Sequence, residues 1–259
     1  MLKKPGRLGG IALALLAGCA SISESPNTVA LPHVSSFSAS APHADLPQGW
    51  RAWVLSRFKK PTQYRLVDHD GKTVIKASAH ASASGLVHTL RLDPREYPLL
   101  QWRWKVTELI AKADNTKKHT DDSPVRVVVS FEGNLDKLSL EDRIFIDNIR
   151  LLTGQQLPYA TLVYIWENRA TRETVIPNLH TTRIKMIVAE SGHEKVGAWQ
   201  EVIRNVPEDF KRAFGEDPGT ITAIGIMTDT DNTGENVHAY YGDIRFRRIA
   251  PPRASFTSD

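Results

Sequence analysis

Carboxylates are concentrated in one short segment near the carboxyl-terminal end of the chain. The run Ile224–Gly234 places Asp229 and Asp231 two positions apart, directly after an apolar stretch. Carboxylate oxygens are ligands that Ca²⁺ prefers, so this spacing is compatible with a calcium loop. It is not an EF-hand, because the twelfth position is Tyr240 where an EF-hand has Glu. A turn stabilised by Asp side chains is the structural alternative, and both interpretations stay open.

A second set of acidic residues flanks two other apolar stretches. Asp121 and Asp122 come just before one stretch, and Glu167 comes just after another. Paired carboxylates can act as general acid and base on a sugar, so these three residues define an enzymatic alternative. Loop residues or calcium ligands would give the same pattern, so we assign no catalytic residue. The nine histidines show no metal-ligand spacing, which argues against a zinc or iron site.

Strict alternation in two stretches separates a core face from a polar face. Between Leu99 and Val106, Trp102 and Trp104 share the apolar parity, so we expect both in the core. Arg103 has the opposite parity, as does Arg126 in the stretch from residue 124 to 131. Charged residues on the outer face of a sheet suit a groove for hydroxyl-rich or anionic ligands, although a solvated surface would look the same.

The final apolar stretch alternates in the same manner. Tyr241, Asp243 and Arg245 have one parity, whereas Ile244 and Phe246 have the other. We therefore expect Tyr241 on the polar face beside Asp243.

Short strands with turn residues between them dominate the chain from Trp50 onward. Asp70-Gly71 lies between two alternating stretches, which is a strong hairpin signal. The segments 139–152 and 207–214 instead predict helices, with Ser139 and Asn205 as amino-terminal caps. We therefore predict an all-β fold, an antiparallel β-sandwich of jelly-roll type with two short helical insertions. Strands are expected over 64–68, 73–78, 85–92, 99–106, 124–131, 160–166, 183–190, 199–205, 221–228 and 240–249.

The amino terminus has the features of a targeting signal. A basic start precedes the apolar run Leu8–Ala17, which is too short to span a bilayer. The run ends in Leu16-Ala17-Gly18-Cys19, which resembles the bacterial lipobox. That resemblance implies cleavage before Cys19 and acylation of its thiol, and Ala20 implies the outer membrane. A plain secretory signal is the alternative. The expected organisation is a signal peptide (1–18), an anchor and flexible linker (19–47), a sandwich domain (48–250) and a tail (251–259).

The composition of the chain limits the number of domains and excludes two classes of protein. The chain has 259 residues, 41% of them hydrophobic, which is typical of one soluble domain or two small ones. Three of its 33 Lys and Arg residues lie in the first 18 positions, so the rest carries 30 basic against 29 acidic side chains. That balance excludes a nucleic-acid partner on charge grounds. The single cysteine excludes a disulfide framework.

A series of short motifs in order resembles one bacterial family. The motifs are Trp102-Arg-Trp-Lys-Val106, Asp121-Asp-Ser-Pro-Val-Arg126, Leu162-Val-Tyr-Ile-Trp-Glu167, Arg204-Asn205, Phe214-Gly-Glu216, Met227-Thr-Asp-Thr-Asp-Asn232 and Tyr241-Gly-Asp243. Together they resemble the bacterial domain of unknown function 3047 over residues 48–248, a family that implies no activity. The closing Tyr241-Gly-Asp243-Ile244 is also similar to the last strand of galactose-binding-like jelly rolls and carbohydrate-binding modules. In those modules an Asp near this point often helps to hold a structural calcium, which implies that role for Asp243.

The expected protein is an outer-membrane lipoprotein that faces the periplasm and binds a glycan or another polar envelope component. It requires no cofactor, although a structural calcium on Asp229, Asp231 and Asp243 stays open. The alternatives are an enzyme acting on envelope polysaccharide and a protein-interaction scaffold that uses the helix at 139–152. The candidate ligand-binding residues are Arg103, Arg126, Glu167, Asp229, Asp231 and Asp243.

Overall fold

The computed structural model describes residues 33–249. It consists of two β-sheets stacked face to face. The seven-stranded sheet has the order β1 (Trp50–Trp53), β4 (Ala83–Leu92), β11 (Ile221–Asp229), β6 (Ser123–Phe131), β7 (Ala160–Glu167), β9 (Ile184–Ser191) and β8 (Val175–Pro177). The five-stranded sheet has the order β10 (Gln200–Asn205), β5 (Leu99–Val106), β12 (Asn236–Arg247), β3 (Lys72–His80) and β2 (Gln63–His69). Neighbouring strands are antiparallel except for β7 and β9, which run parallel. The predicted all-β sandwich with two helical insertions is confirmed.

Large aromatic side chains fill the space between the sheets. Trp102 and Trp104 of β5 are at most 1% exposed, as their parity predicts. The ring of Trp102 lies 5.0 Å from that of Tyr164 of β7, so this contact joins the two sheets. The alternation of β5 therefore buries one face and leaves Arg103 on the outer face.

Local sequence signals fix the turns and the helices. Asp70 and Gly71 both have positive φ values, 55° and 74°, in the tight turn between β2 and β3. Helix α1 (Leu140–Thr153) begins after Ser139, whose side chain accepts a hydrogen bond from the backbone N–H of Asp142. Helix α2 (Val206–Phe214) begins after Asn205. Among the described residues, no helix is long and apolar enough to cross a bilayer.

Residues 33–47 differ from the expected flexible linker. Phe37 is fully buried against Trp50, with ring centroids 4.8 Å apart, and belongs to the main core. The indole N–H of Trp50 donates to the carbonyl oxygen of Ser35 over 2.9 Å. The Ser/Ala/Pro-rich composition of this segment predicted a linker, but its one phenylalanine, Phe37, packs into the core. The folded unit therefore begins well before residue 48, while the signal peptide, Cys19 and the tail from residue 251 lie outside the described residues.

A bulge in β12 overturns one expected parity. The pairing of β12 with β5 shifts register between Tyr241 and Ile244, so one extra residue fits into the strand. Tyr241 consequently faces the core at 1% exposure, and Ile244 is buried beside it. Its expected place on the polar face beside Asp243 is wrong, because simple alternation does not survive the bulge at Gly242.

Candidate functional site

The six residues expected to line one groove lie in separate parts of the sandwich. Three are on the outer face of the seven-stranded sheet: Arg126, Glu167 and Asp229. Two are on the five-stranded sheet: Arg103 and Asp243. Asp231 follows β11 in a loop. Since the outer faces of stacked sheets point in opposite directions, a single groove that holds all six is ruled out.

Arg126 and Asp229 form a buried ion pair. The guanidinium donates through Nε to Oδ1 of Asp229 over 2.8 Å and through Nη2 to Oδ2 over 3.0 Å. Nη2 also donates to Oδ1 of Asp121 over 3.0 Å. The Arg126 side chain is 8% exposed and that of Asp229 is 5% exposed. This arrangement joins β6 to β11 and leaves Arg126 no free donor face for a ligand.

Burial governs the protonation of this pair. It raises the pKa of Asp229 to about 7, and the negative charges of Asp122 and Asp121 add to the rise, whereas Arg126 opposes it. Burial also acts against ionised Asp121, but the charge and hydrogen bond of Arg126, with the Asn115 hydrogen bond and the charge of Lys59, together lower the pKa of that carboxyl. Arg126 is therefore the cation that allows several carboxylates to share one buried corner.

The carboxylates that lie close enough to share a metal ion differ from the expected set. Asp122, Asp229 and Asp231 each place one oxygen within 4.8 Å of the others. Asp243 is held elsewhere, so the expected set is wrong in that residue. Cations of the chain already reach two of the three: Nζ of Lys59 lies 2.6 Å from Asp231, and Arg126 binds Asp229. Oxygen donors of this kind suit Ca²⁺, but the neighbouring cations reduce the charge available to it.

The three carboxylates of the enzymatic alternative take part in local structure. Asp122 is fully buried and accepts from the backbone N–H of Thr233 over 2.7 Å. Glu167 is 3% exposed and accepts from the backbone N–H groups of Arg169 and Ala170. With Asp121 bound to Arg126, each of the three has a structural partner, which does not favour an acid–base role.

A groove on the outer face of the five-stranded sheet is the strongest candidate site. Its cavity volume is about 450 Å³. Charged and polar side chains line most of it: Ser38, Lys72, Thr73, Gln101, Arg103, Glu201, Asp243 and Arg245. Arg103 and Asp243, two of the six expected residues, both belong to this lining. An open polar concavity of this kind can bind a small hydrophilic ligand.

Arg103 is the arginine of this groove without a carboxylate partner among the described residues, since Arg245 is paired with Asp243. The guanidinium carbon of Arg103 lies 4.5 Å from the ring centroid of Trp199, which holds the group by a cation–π contact. Glu201 is directly opposite Arg103 in the register of β10 and β5, yet its carboxylate bonds to Gln101. Within residues 33–249 no carboxylate forms a salt bridge with Arg103. Its planar donor fork is therefore available to a carboxylate, a phosphate or paired hydroxyls.

Gly242 makes room for Arg103. A Cβ at this position would lie 2.4 Å from both Cγ and Nε of Arg103, so only glycine lets the side chain cross β12 there. The glycine at the bulge thus sets both the parity of the strand and the path of the arginine. A glycine inside a strand pattern is the sequence signal that could have predicted this bulge and the close approach of Arg103.

Asp243 forms part of the groove wall and anchors the amino-terminal segment. Its carboxylate accepts from the backbone N–H of Ser38 over 2.9 Å and from the Ser38 hydroxyl over 2.5 Å. Nη2 of Arg245 also donates to it over 3.2 Å. These bonds account for Asp243 without a metal ion.

An aromatic group beside the groove has no local signal in the sequence. Trp199, Tyr240 and His69 form one cluster. The ring centroid of His69 is 5.4 Å from that of Trp199 and 4.6 Å from that of Tyr240, and the last two are 6.4 Å apart. In register, Tyr240 stands between Lys76 on β3 and Lys105 on β5. These residues come from four distant segments, so no local motif announces them.

Comparison with known proteins decides the family. A family model described as "Protein of unknown function (DUF3047)" matches residues 48–245. The chain belongs to this family. The expected membership is thus confirmed, and it carries no activity with it. No curated protein matches the chain.

Several solved structures have a similar overall arrangement. One is the family 11 carbohydrate-binding module of the cellulosomal cellulase Lic26A-Cel5E of Clostridium thermocellum, at 9% identity and a TM-score of 0.42, covering 82% of this chain and 95% of that one. A family 11 carbohydrate-binding module from Clostridium thermocellum in complex with a β-1,3-1,4-mixed-linked tetrasaccharide gives 9% identity, a TM-score of 0.43 and coverages of 84% and 95%. A β-1,2-glucanase from Parabacteroides distasonis gives 11% identity and a TM-score of 0.34, covering 78% of this chain and 23% of the enzyme.

Proposed function

We propose that this protein binds a glycan or another polar cell-envelope component in the groove of the five-stranded sheet. The observation that supports this most is Arg103, a half-buried guanidinium in an open polar groove, positioned by Trp199 and free of any carboxylate partner among the described residues. A buried or half-buried arginine is normally paired, because an unpaired charge is costly to desolvate. The free fork therefore marks the position of an anionic or hydroxyl-rich ligand.

The surrounding charges favour an acidic glycan. Lys72, Lys76 and Lys105 lie on the same face as Arg103, and none of them has a salt-bridge partner within the described part of the chain. Asp243 and Glu201 keep their negative charge, because the Ser38 and Gln101 groups that donate to them are neutral. Arg245 offsets Asp243, however, and the three lysines with Arg103 outnumber Glu201. A carboxylated or phosphorylated sugar would complement this unpaired positive charge.

The location of the protein is part of the same proposal. The lipobox-like end of the leader at Cys19 supports cleavage, acylation and attachment to the outer membrane, with the sandwich facing the periplasm. An envelope glycan would then be within reach of the groove. No cofactor is required in this proposal, and a calcium ion is left to the test.

The test is a glycan-array measurement on a soluble form that begins at residue 20, with calcium and again with EDTA. We expect a specific acidic hit, and Arg103→Ala should weaken it about tenfold or more without changing the unfolding midpoint, because a charge-assisted hydrogen bond contributes about 1.5–3 kcal/mol. Arg143→Ala is the matched control, an exposed arginine of α1 that lies outside the five-stranded sheet and its groove. Unchanged binding by folded Arg103→Ala would disprove the assignment, and loss of the hit in EDTA would add a metal ion to the site.

A further inference from the structure

Two neighbouring elements expose large apolar side chains to solvent. Phe58, in the loop after β1, is 83% exposed, and Leu151 and Leu152 at the end of α1 are each 80% exposed. The side-chain amide of Gln155 donates to the carbonyl oxygen of Val54 over 3.1 Å and so ties the two elements together. Exposed apolar side chains grouped in this manner mark an interaction surface.

The charge of the loop identifies the partner. Arg57, Lys59 and Lys60 are the neighbours of Phe58, and all are exposed. The whole segment from residue 46 to 67 contains five basic residues and no acidic one. An aromatic tip flanked by basic side chains is complementary to an anionic lipid surface, where the ring enters the interface and the cations contact headgroups.

We propose that this surface docks on an anionic lipid bilayer. Its members are Phe58, Leu151 and Leu152 as inserting side chains and Arg57 and Lys60 as headgroup contacts, and together they form the docking surface. Lys59 is not counted, because it is paired with Asp231. It is independent of the glycan groove, since none of its residues lines that cavity.

The position of Cys19 is compatible with this orientation. Fourteen residue steps separate Cys19 from His33, the first described residue, and such a chain reaches at most roughly 50 Å when fully extended. A lipid attached to Cys19 would thus keep the domain close to one bilayer. The anchor supplies proximity, and the docking surface determines which side of the domain meets the lipid.

The experiment measures how deeply single positions enter a bilayer. Phe58→Cys, Leu151→Cys and the control Ile203→Cys are each prepared in the form that begins at residue 20. This form lacks both the apolar leader and Cys19, so the introduced thiol is the only one. Each is labelled with a small fluorophore and mixed with vesicles of phosphatidylethanolamine and phosphatidylglycerol that contain lipids spin-labelled on the acyl chain. Ile203 suits the comparison because it is 53% exposed on β10 of the five-stranded sheet.

We expect the labels at 58 and 151 to be quenched several-fold more than the label at 203. Arg57→Glu, or replacement of phosphatidylglycerol by phosphatidylcholine, should remove most of that difference. Equal quenching at 58 and 203 overturns the proposal. Labels at 58 and 151 that are shielded from aqueous iodide but not reached by the lipid quencher also overturn it, because the surface would then be covered by protein.

Discussion

Arg126 and Asp229 meet across β6 and β11 in a two-pronged ion pair, with Nε–Oδ1 at 2.8 Å and Nη2–Oδ2 at 3.0 Å. Both side chains are below 10% exposure, so water does little to screen the interaction. The arginine also reaches Asp121 on the segment that leads into β6. This pair stabilises the corner of the sandwich that contains the acidic segment with Asp229 and Asp231.

Removing the positive member of this pair should be costly. Arg126→Met leaves Asp229 buried beside Asp122 without its cation, so we expect the free energy of unfolding to fall by about 3–5 kcal/mol. Urea denaturation at neutral pH measures the change. Arg126→Met combined with Asp229→Leu should recover much of the loss, because an apolar pair needs no desolvation of charge.

Arg91→Met is the matched control for this experiment. Arg91 also forms a bidentate ion pair, with the carboxylate of Glu132, but the Arg91 side chain is 60% exposed. Exposed pairs contribute about 0–1 kcal/mol, so its loss should be small. Equal costs for the two substitutions would show that the buried pair does not stabilise this corner.

Phe37 should contribute to stability as a core residue although it lies outside the family match. Phe37→Ala removes a fully buried ring, so we expect a loss of about 3–5 kcal/mol in the free energy of unfolding. Phe58→Ala, which truncates a ring that is 83% exposed, serves as the control and should have little effect. Thermal denaturation of the two variants side by side makes the comparison. If Phe37→Ala is as harmless as Phe58→Ala, residues 33–47 do not belong to the folded unit.

Gly242→Ala should affect ligand binding more than folding. The new methyl group would meet the flexible part of the Arg103 side chain at 2.4 Å, so the arginine must leave its path over β12. We expect ligand affinity to fall as far as in Arg103→Ala, while the unfolding midpoint changes little. Titration of the array hit and a melting curve test both halves. Full affinity in Gly242→Ala would mean that the position of Arg103 does not matter to binding.

Glu173 should govern part of the acid sensitivity. Hydrogen bonds from Arg204 lower its pKa from the ordinary 4.5 to about 2, and Arg212 assists. Because the folded pKa lies below the unfolded one, its stabilisation is complete above about pH 4.5 and is lost as the pH falls towards 2. Glu173→Gln should flatten the fall of unfolding free energy in that window. Glu141→Gln, an exposed carboxylate without an ion pair among the described residues, should keep the wild-type slope.

The elements that follow from short-range patterns could be predicted from the sequence. Alternation placed Trp102 and Trp104 in the core, and the cap at Ser139 marked the start of α1, because each signal lies within a few residues of its effect. Contacts between residues that are far apart in the sequence could not be predicted in this manner. Asp122 joins the acidic corner by accepting from Thr233, which is 111 positions away, and no local motif encodes that contact.

Only part of the candidate site could be predicted from the sequence, for the same reason. Arg103 and Asp243 were identified as polar residues on outer faces, and both line the groove. Arg126 had the same pattern but is covered, since parity tells which face a side chain occupies and not whether another segment lies over that face. Trp199 begins an expected strand, but no local pattern places its ring beside the guanidinium of Arg103.

The bonds between Ser38 and Asp243 have a mechanical consequence. A pull on the amino-terminal end of the domain reaches Ser38 and the ring of Phe37 before it reaches the strands of either sheet. Because Ser38 also forms part of the groove wall, peeling this segment away would open the wall and separate Asp243 from its donors. Tension on the amino-terminal end would therefore weaken the groove, and a ligand that contacts both Ser38 and Arg103 would resist the detachment of this segment.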